Sequence, residues 1–121
     1  MTARSVSEIR QRLRHRRDRH RRDLQREAQR LAAEAAALGV QRVVLFGSAA
    51  WGEPGLASDL DLLVVWDTPL DFLARTVALY RFLRPRVAVD LLVYTPLEME
   101  TMLRRPFVRQ AVEEGRVLYE A

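Results

Sequence analysis

The chain opens with a long polar stretch in which apolar residues recur at helical spacing only in the second half. These residues are Leu24, Ala28, Leu31, Ala35 and Leu38. Their spacing of three and four places them on one face of a helix that can lie on a sheet. Ser5 and Glu8 have the spacing of a capping box, and Gly39 stands where such a helix should end. We therefore predict a helix over about residues 7–38.

Three shorter runs of apolar and β-branched residues predict strands. They are residues 42–46, 60–65 and 86–94, and a fourth strand-like segment lies at 117–119. Each is apolar and short enough for a buried strand. The segment between the first two, residues 47–58, contains three glycines and a proline, so it is predicted to form a loop.

Helices are predicted in the second half of the chain where threonine precedes proline. Thr68-Pro69, with Asp71 as a capping carboxylate, opens a helix to about Leu83, and Thr95-Pro96 opens another to about Arg104. A short helix follows Pro106 and continues to Glu114.

This order of elements predicts an α/β (α+β) fold in which a small mixed sheet is covered by helices. At 121 residues, we expect one domain over residues 1–121. Within it, residues 1–23 form an arginine-rich helical extension and residues 24–121 form the core.

Composition removes several classes of chemistry. The chain has no cysteine, which excludes disulfides, zinc sites built on thiolates and cysteine nucleophiles. Its two histidines, His15 and His20, both lie in the arginine-rich run, so a metal would have to be held by carboxylates. The sequence contains neither a membrane span nor a signal peptide, and a cytoplasmic protein is expected.

Positive charge is concentrated at the N-terminus. Residues 1–30 hold 11 arginines against 4 acidic residues, whereas the remainder holds 9 against 12. Three interpretations stay open for residues 10–30. The helix is merely solvated, with pairs such as Arg14–Asp18 and Arg19–Asp23; it docks a partner; or it contacts nucleic acid through phosphates alone, since the segment has no aromatic residue to stack on bases.

The candidate chemistry lies in acidic residues placed inside apolar strands. Asp59 and Asp61 flank Leu60, and side chains two apart on a strand share a face. Asp90 lies in another predicted strand, so the three carboxylates converge if the two strands are neighbours. Such a cluster repels itself unless arginine or a divalent cation neutralises it, and Mg²⁺ is the hard cation that prefers these oxygen ligands. Taken singly, each aspartate has an ordinary structural explanation as a cap, an ion pair or a strand end.

A second feature is the Gly47-Ser48 pair, which directly follows a predicted buried strand. Glycine there lets a ligand approach the backbone, whose N–H groups can hold phosphate. Ser48 is separated from Asp59 by ten residues. Gly47-Ser48, the ten-residue gap and Asp59-Leu60-Asp61 together resemble the signature of the polymerase β-like nucleotidyltransferases. The surrounding VVLFGSAAWGEPGLASDLDLLVV is similar to the minimal nucleotidyltransferases, and the resemblance covers roughly residues 25–121.

The resemblance implies a nucleotidyltransferase fold and a reaction that uses two Mg²⁺ ions. Asp59 and Asp61 would ligate both ions, while Asp90 would complete one metal site and help deprotonate the attacking hydroxyl. Gly47 and Ser48 would hold the β- and γ-phosphates, with Ser58 also assigned to nucleotide binding. The nucleotide expected is ATP, and the product is an acceptor bearing AMP.

The resemblance also implies a partner. Members of this family are often paired with a HEPN-domain protein as antitoxin and toxin, and the nucleotidyltransferase silences its partner by binding it and attaching AMP.

Trp51 departs from the pattern, since it stands where the family usually carries an arginine. Two alternatives therefore stay open: a subunit that neutralises its partner by contact without turnover, and an enzyme acting on a small molecule such as an aminoglycoside. A homo-oligomer is a further possibility.

Overall fold

A computed structural model describes residues 3–47, 50 and 58–121. In chain order the elements are α1 (Ala3–Ala37), β1 (Arg42–Phe46), β2 (Leu60–Val65), α2 (Phe72–Leu83), β3 (Val89–Tyr94), α3 (Pro96–Met102), α4 (Pro106–Glu114) and β4 (Arg116–Glu120). The predicted fold class is confirmed: the described strands form one mixed four-stranded sheet with helices around it. None of the helices in the described ranges combines enough length with enough apolar character to traverse a lipid bilayer.

The sheet has the strand order β3-β2-β1-β4. β1 pairs antiparallel with both β2 and β4, whereas β2 and β3 run parallel. The parallel pair requires a crossover, which α2 supplies. Because β1 ends where β2 and β3 begin, the Gly47 turn and the first residues of β2 and β3 lie at the same edge of the sheet. We call this the upper edge.

Each face of the sheet has its own apolar core. Alternation along β2 sends Leu60, Leu62 and Val64 to a core that also contains buried residues of α1 and α2. Leu63 and Val65 point the other way, into a core shared with Met99 of α3 and with α4. Asp61 belongs to this second face by the same alternation, as does Asp90 on β3.

The long helix α1 divides into a packed half and an exposed half. The apolar stripe predicted from the sequence is confirmed, since Leu24, Ala28, Leu31 and Ala35 are buried against the sheet. Residues 7–23 are all exposed. Because the C-terminus of α1 leads by a short turn into the start of β1, the helix runs antiparallel to β1. Its exposed half therefore projects past the upper edge of the sheet.

Three predicted helix and strand starts are corrected. α1 begins at Ala3, so Ser5 and Glu8 lie inside the helix and not at its cap. Thr68 does not cap α2; the N-cap is Asp71, whose Oδ1 accepts the Ala74 N–H at 2.8 Å, while Thr68 accepts only the nearby Leu70 N–H at 3.3 Å. β3 begins at Val89 rather than at 86. The residues before it form the exit from α2, where Arg84 adopts a left-handed conformation with φ 46°.

A buried arginine joins α2, β3 and α3. Arg75 is only 5% exposed, and it donates to the carbonyls of Leu70 at 3.1 Å and Val93 at 3.3 Å. Its guanidinium also forms an ion pair with Glu98, which lowers the pKa of that carboxyl. Glu98 belongs to the capping box of α3 with Thr95, as the sequence predicted. Pairing satisfies a charge that would otherwise be costly to bury.

A second buried polar group ties α1 to the start of β3. Glu27 is 6% exposed, binds Arg30 through both carboxylate oxygens, and accepts the Arg86 N–H at 2.6 Å. Arg30 in turn donates to the carbonyls of Leu83 and Arg84 at the end of α2. The hydrogen bond from Arg30 holds the pKa of Glu27 below its ordinary value of 4.5, against the opposing effect of burial.

We expect Glu27→Gln to lower the free energy of unfolding at pH 7 by about 2 kcal/mol, because charged hydrogen bonds to Arg30 and Arg86 are lost. A carboxylate with a lowered pKa stabilises the fold above pH 4.5 and loses that contribution as the pH falls through its folded-state pKa. The gap between wild type and variant should therefore shrink at pH 3. Urea unfolding at both pH values measures it.

The matched control is Glu34→Gln, because Glu34 also pairs with Arg30 but is 41% exposed and has no described bond to the α2–β3 turn. Its loss is expected to be about 0.5 kcal/mol or less. A wild-type advantage over Glu27→Gln that is the same at pH 3 and pH 7 would contradict this account.

Candidate active site

The parallel register of β2 and β3 brings two of the predicted carboxylates side by side. Asp61 is the direct cross-strand neighbour of Asp90, and both side chains stand on the face that carries α3 and α4. Asp61 is half-buried and Asp90 is exposed. Burial raises the pKa of Asp61, and the charge and hydrogen bonding of Asp90 raise it further, while a hydrogen bond from Ser58 opposes the shift. The two carboxylates therefore repel each other, and Ser58 offsets only part of that repulsion.

Ser58 lies immediately before this pair and is bonded to it. Its hydroxyl donates to Oδ1 of Asp61 at 2.7 Å. The family resemblance assigned Ser58 to nucleotide binding. In the structure, its hydroxyl donates a hydrogen bond to the Asp61 carboxylate. The remaining lone pairs of the hydroxyl stay able to accept a bond from a ligand.

Asp59 takes a different position from Asp61 and Asp90. Its Oδ2 accepts the Ala88 N–H at 3.1 Å, and its own N–H donates to the Ala88 carbonyl at 2.9 Å. These bonds fasten the start of β2 to the residue before β3, a role for Ala88 that no sequence pattern indicates. Across residues 3–47, 50 and 58–121, no three acidic or histidine side chains converge closely enough to surround a metal ion.

Gly47 sits against the carboxylate pair from the other side. Phe46 is the cross-strand partner of Asp61, and Gly47 follows it with φ +73°, a conformation that disfavours residues with a Cβ. A Cβ at this position would lie 2.3 Å from Oδ2 of Asp61. Only glycine allows this backbone to approach the carboxylate. Two other sequence predictions, the role of Ser48 and the substitution at Trp51, fall outside the described residues.

The donor chemistry at the upper edge fits a hard divalent cation. Asp61 and Asp90 are close enough for Asp90 to raise the pKa of Asp61, and a bound cation would relieve their mutual repulsion. Asp59 uses one oxygen for Ala88, which leaves Oδ1 as the oxygen able to act as a ligand. The described part of the site offers no nitrogen or sulfur ligand.

The structure adds a cavity that the sequence did not predict. Its volume is about 170 Å³, and it adjoins the Gly47 turn on the face that carries α4. The lining residues are Phe46, Gly47, Phe107, Gln110, Ala111, Glu114 and Gly115. The rings of Phe46 and Phe107 meet edge to face at 5.9 Å between centroids. Only folding brings α4 beside the end of β1, so the sequence carried no signal for this cavity beyond an apolar residue after Pro106.

We expect Gly47→Ala to be more destabilising than Gly39→Ala. Both glycines have positive φ, but a Cβ at Gly39 would meet nothing within 4 Å. Gly39→Ala therefore measures backbone strain alone, about 1 kcal/mol. Gly47→Ala should cost roughly 1 kcal/mol more, because Asp61 must move and its bond from Ser58 is disturbed. Urea unfolding of the two variants measures the difference, and equal losses would exclude a close contact between Gly47 and Asp61.

Comparison with known proteins agrees with this geometry. The model of a family described as "Nucleotidyltransferase domain" matches residues 26–119. A protein of Methanocaldococcus jannaschii named as a "Putative protein adenylyltransferase" is 31% identical over 80 residues, which cover 66% of this chain and 79% of the relative. No solved structure matches the chain significantly. With the matched region spanning most of the sheet and all three aspartates, the chain belongs to the nucleotidyltransferase domain family.

Proposed function

We propose that this protein transfers AMP from ATP to a hydroxyl group of a HEPN-type partner protein, and so acts as the antitoxin of a toxin–antitoxin pair. The observation that carries the proposal is the placement of Asp61 and Asp90 side by side, with Gly47 against them, in a chain of the nucleotidyltransferase family. The name of the M. jannaschii relative favours adenylyl transfer to a protein over transfer to a small molecule.

In the proposed reaction, the acceptor oxygen forms a bond to the α-phosphorus of ATP. The bond between that phosphorus and the oxygen bridging to the β-phosphate breaks, and pyrophosphate leaves. The proton of the acceptor hydroxyl passes to Asp90, which is exposed and therefore accessible to an incoming acceptor. Gly47 and Ser48 hold the β- and γ-phosphates through backbone N–H groups.

The carboxylates would hold two Mg²⁺ ions, with Asp59 and Asp61 serving both and Asp90 serving one. The ions would supply positive charge to offset the charge that develops on the attacking and leaving oxygens. Ser58 orients Asp61 for this task through its 2.7 Å hydrogen bond. The bonds between Asp59 and Ala88 fix the spacing of β2 and β3, and thereby the separation of Asp61 and Asp90.

The test is transfer of label from ATP that carries radioactive phosphorus at the α position. The protein is incubated with labelled ATP, Mg²⁺ and a HEPN-domain protein, and that protein is examined for label. Asp61→Asn and Asp90→Asn are each expected to reduce labelling about 100-fold or more, because each removes charge that acts on the reacting groups.

Asp67→Asn is the matched control, since Asp67 is an exposed aspartate just beyond the opposite end of β2. It should label the partner within twofold of wild type. Tight binding of the partner without label would replace the proposal with neutralisation by contact. Label on an aminoglycoside instead of the partner would replace it with a small-molecule transferase.

A further inference from the structure

The exposed half of α1 has no packing role that the structure describes. We call residues 7–23 the arm. All of them are exposed, and burial on the sheet begins only at Leu24. At 1.5 Å per residue the arm is about 25 Å long, roughly the length of a strand and a half. A segment of this length that buries nothing contributes little to the core.

The arm is placed where it can serve the candidate active site. Two residues in the first two turns after the arm fix its base. Arg30 bonds to the end of α2, and Glu27 bonds to Arg86 in the turn before β3. That turn lies at the upper edge, the same edge that carries Asp61 and Asp90. The arm therefore starts at the level of the site and extends outward from it.

The arm carries arginines on opposite sides of the helix. One side has four at spacings of four, three and four residues, and the other has three at spacings of four and three. The first group is Arg10, Arg14, Arg17 and Arg21, and the second is Arg12, Arg16 and Arg19. A partner protein surface lying along the helix would meet one of these sides and leave the other in solvent.

Positive charge is in excess along the arm, which holds eight arginines against Glu8, Asp18 and Asp23. Of the two ion pairs expected from the sequence, neither forms: among the described residues Asp18 makes no salt bridge, and Asp23 lies 3.7 Å from Arg26 instead of pairing with Arg19. Like charges three or four residues apart destabilise a helix by a few tenths of a kcal/mol each. A polyanion with closely spaced negative charges, bound along the arm, would relieve this repulsion.

The positive surface continues from the arm onto the body of the protein. A groove of about 510 Å³ at the base of the arm is lined by Arg22, Gln25, Arg26, Gln29 and Arg116. Arg116 begins β4 and pairs with Leu45 of β1, one residue before Phe46. The groove thus leads from the arm to β1, whose last residue precedes Gly47.

We propose that the arm binds the phosphate backbone of a nucleic acid and holds it beside the candidate active site. A helix about 10–12 Å across, with cations on both sides, matches a groove bounded by two phosphate walls. Arginine forms bidentate bonds with phosphate, and the absence of aromatic residues from the arm makes the contact independent of base sequence. Binding here does not depend on catalysis, so it stands apart from the proposed adenylyl transfer.

The experiment measures the fluorescence anisotropy of labelled 20-nucleotide probes without nucleotide or partner. The probes are single-stranded RNA, duplex RNA and duplex DNA, which distinguish the source of the phosphates. Binding is expected to weaken as salt rises, with a slope of about −0.7 to −0.9 in log K against log salt for each phosphate contact. The variant in which glutamine replaces Arg10, Arg14, Arg17 and Arg21 loses four phosphate contacts. The magnitude of its total slope should therefore fall by about 3, and its affinity should fall at least tenfold.

The matched control replaces four exposed arginines of the body by glutamine, which gives the same net charge. They are Arg81, Arg104, Arg105 and Arg109. This control and Asp61→Asn should bind within about twofold of wild type, and circular dichroism should show that α1 persists in all variants. Equal losses of affinity in the arm and body variants would overturn the proposal, because they would show general charge attraction and no specific role of the arm. Displacement of the probes by polyglutamate of equal charge as effectively as by unlabelled RNA would overturn it in favour of an acidic protein.

Discussion

Two carboxylates of like charge stand side by side at one edge of a parallel strand pair, and much of the nearby structure constrains them. Asp61 and Asp90 are direct neighbours across β2 and β3, and burial together with this proximity raises the pKa of Asp61. Such a pair is unfavourable unless a proton, a hydrogen-bond donor or a cation compensates it. The hydroxyl of Ser58 compensates part of it within the chain.

The position of the Asp61–Asp90 pair depends on a series of hydrogen bonds that begins at a side chain of α1. Glu27 fixes the N–H of Arg86, and two residues later Ala88 exchanges hydrogen bonds with Asp59. Together these bonds set where β3 starts beside β2, and hence which residue lies opposite Asp61. A helix that packs on one face of the sheet thereby controls the spacing of acidic groups on the other face.

The charge asymmetry of the sequence has a spatial counterpart. Acidic groups gather at the upper edge of the sheet, and the exposed half of α1 carries a row of arginines outward from that same edge. The carboxylates stand on the face of the sheet that carries α3 and α4, whereas α1 packs on the opposite face. Among the described residues, no arginine forms a salt bridge with Asp59, Asp61 or Asp90.

Much of the local structure could be predicted from the sequence. Apolar spacing predicted α1 and its buried stripe, β-branched runs predicted the strands, and the capping box at Thr95 predicted the start of α3. One error occurred where a nearby polar group competed: Asp71 caps α2 in place of Thr68. The spacing from Gly47-Ser48 to Asp59 and Asp61 also identified the family later matched over residues 26–119.

By itself the sequence determined which residues could carry chemistry, because alternation along a strand already places Asp59 and Asp61 toward one face. Only the tertiary structure decided that Asp61 meets Asp90, that Gly47 touches Asp61, and that Asp59 turns to Ala88. These contacts join segments 14 to 29 positions apart, and their geometry follows from the register of three strands. Register depends on how both faces of the sheet pack at once, and no local pattern of residues encodes that balance.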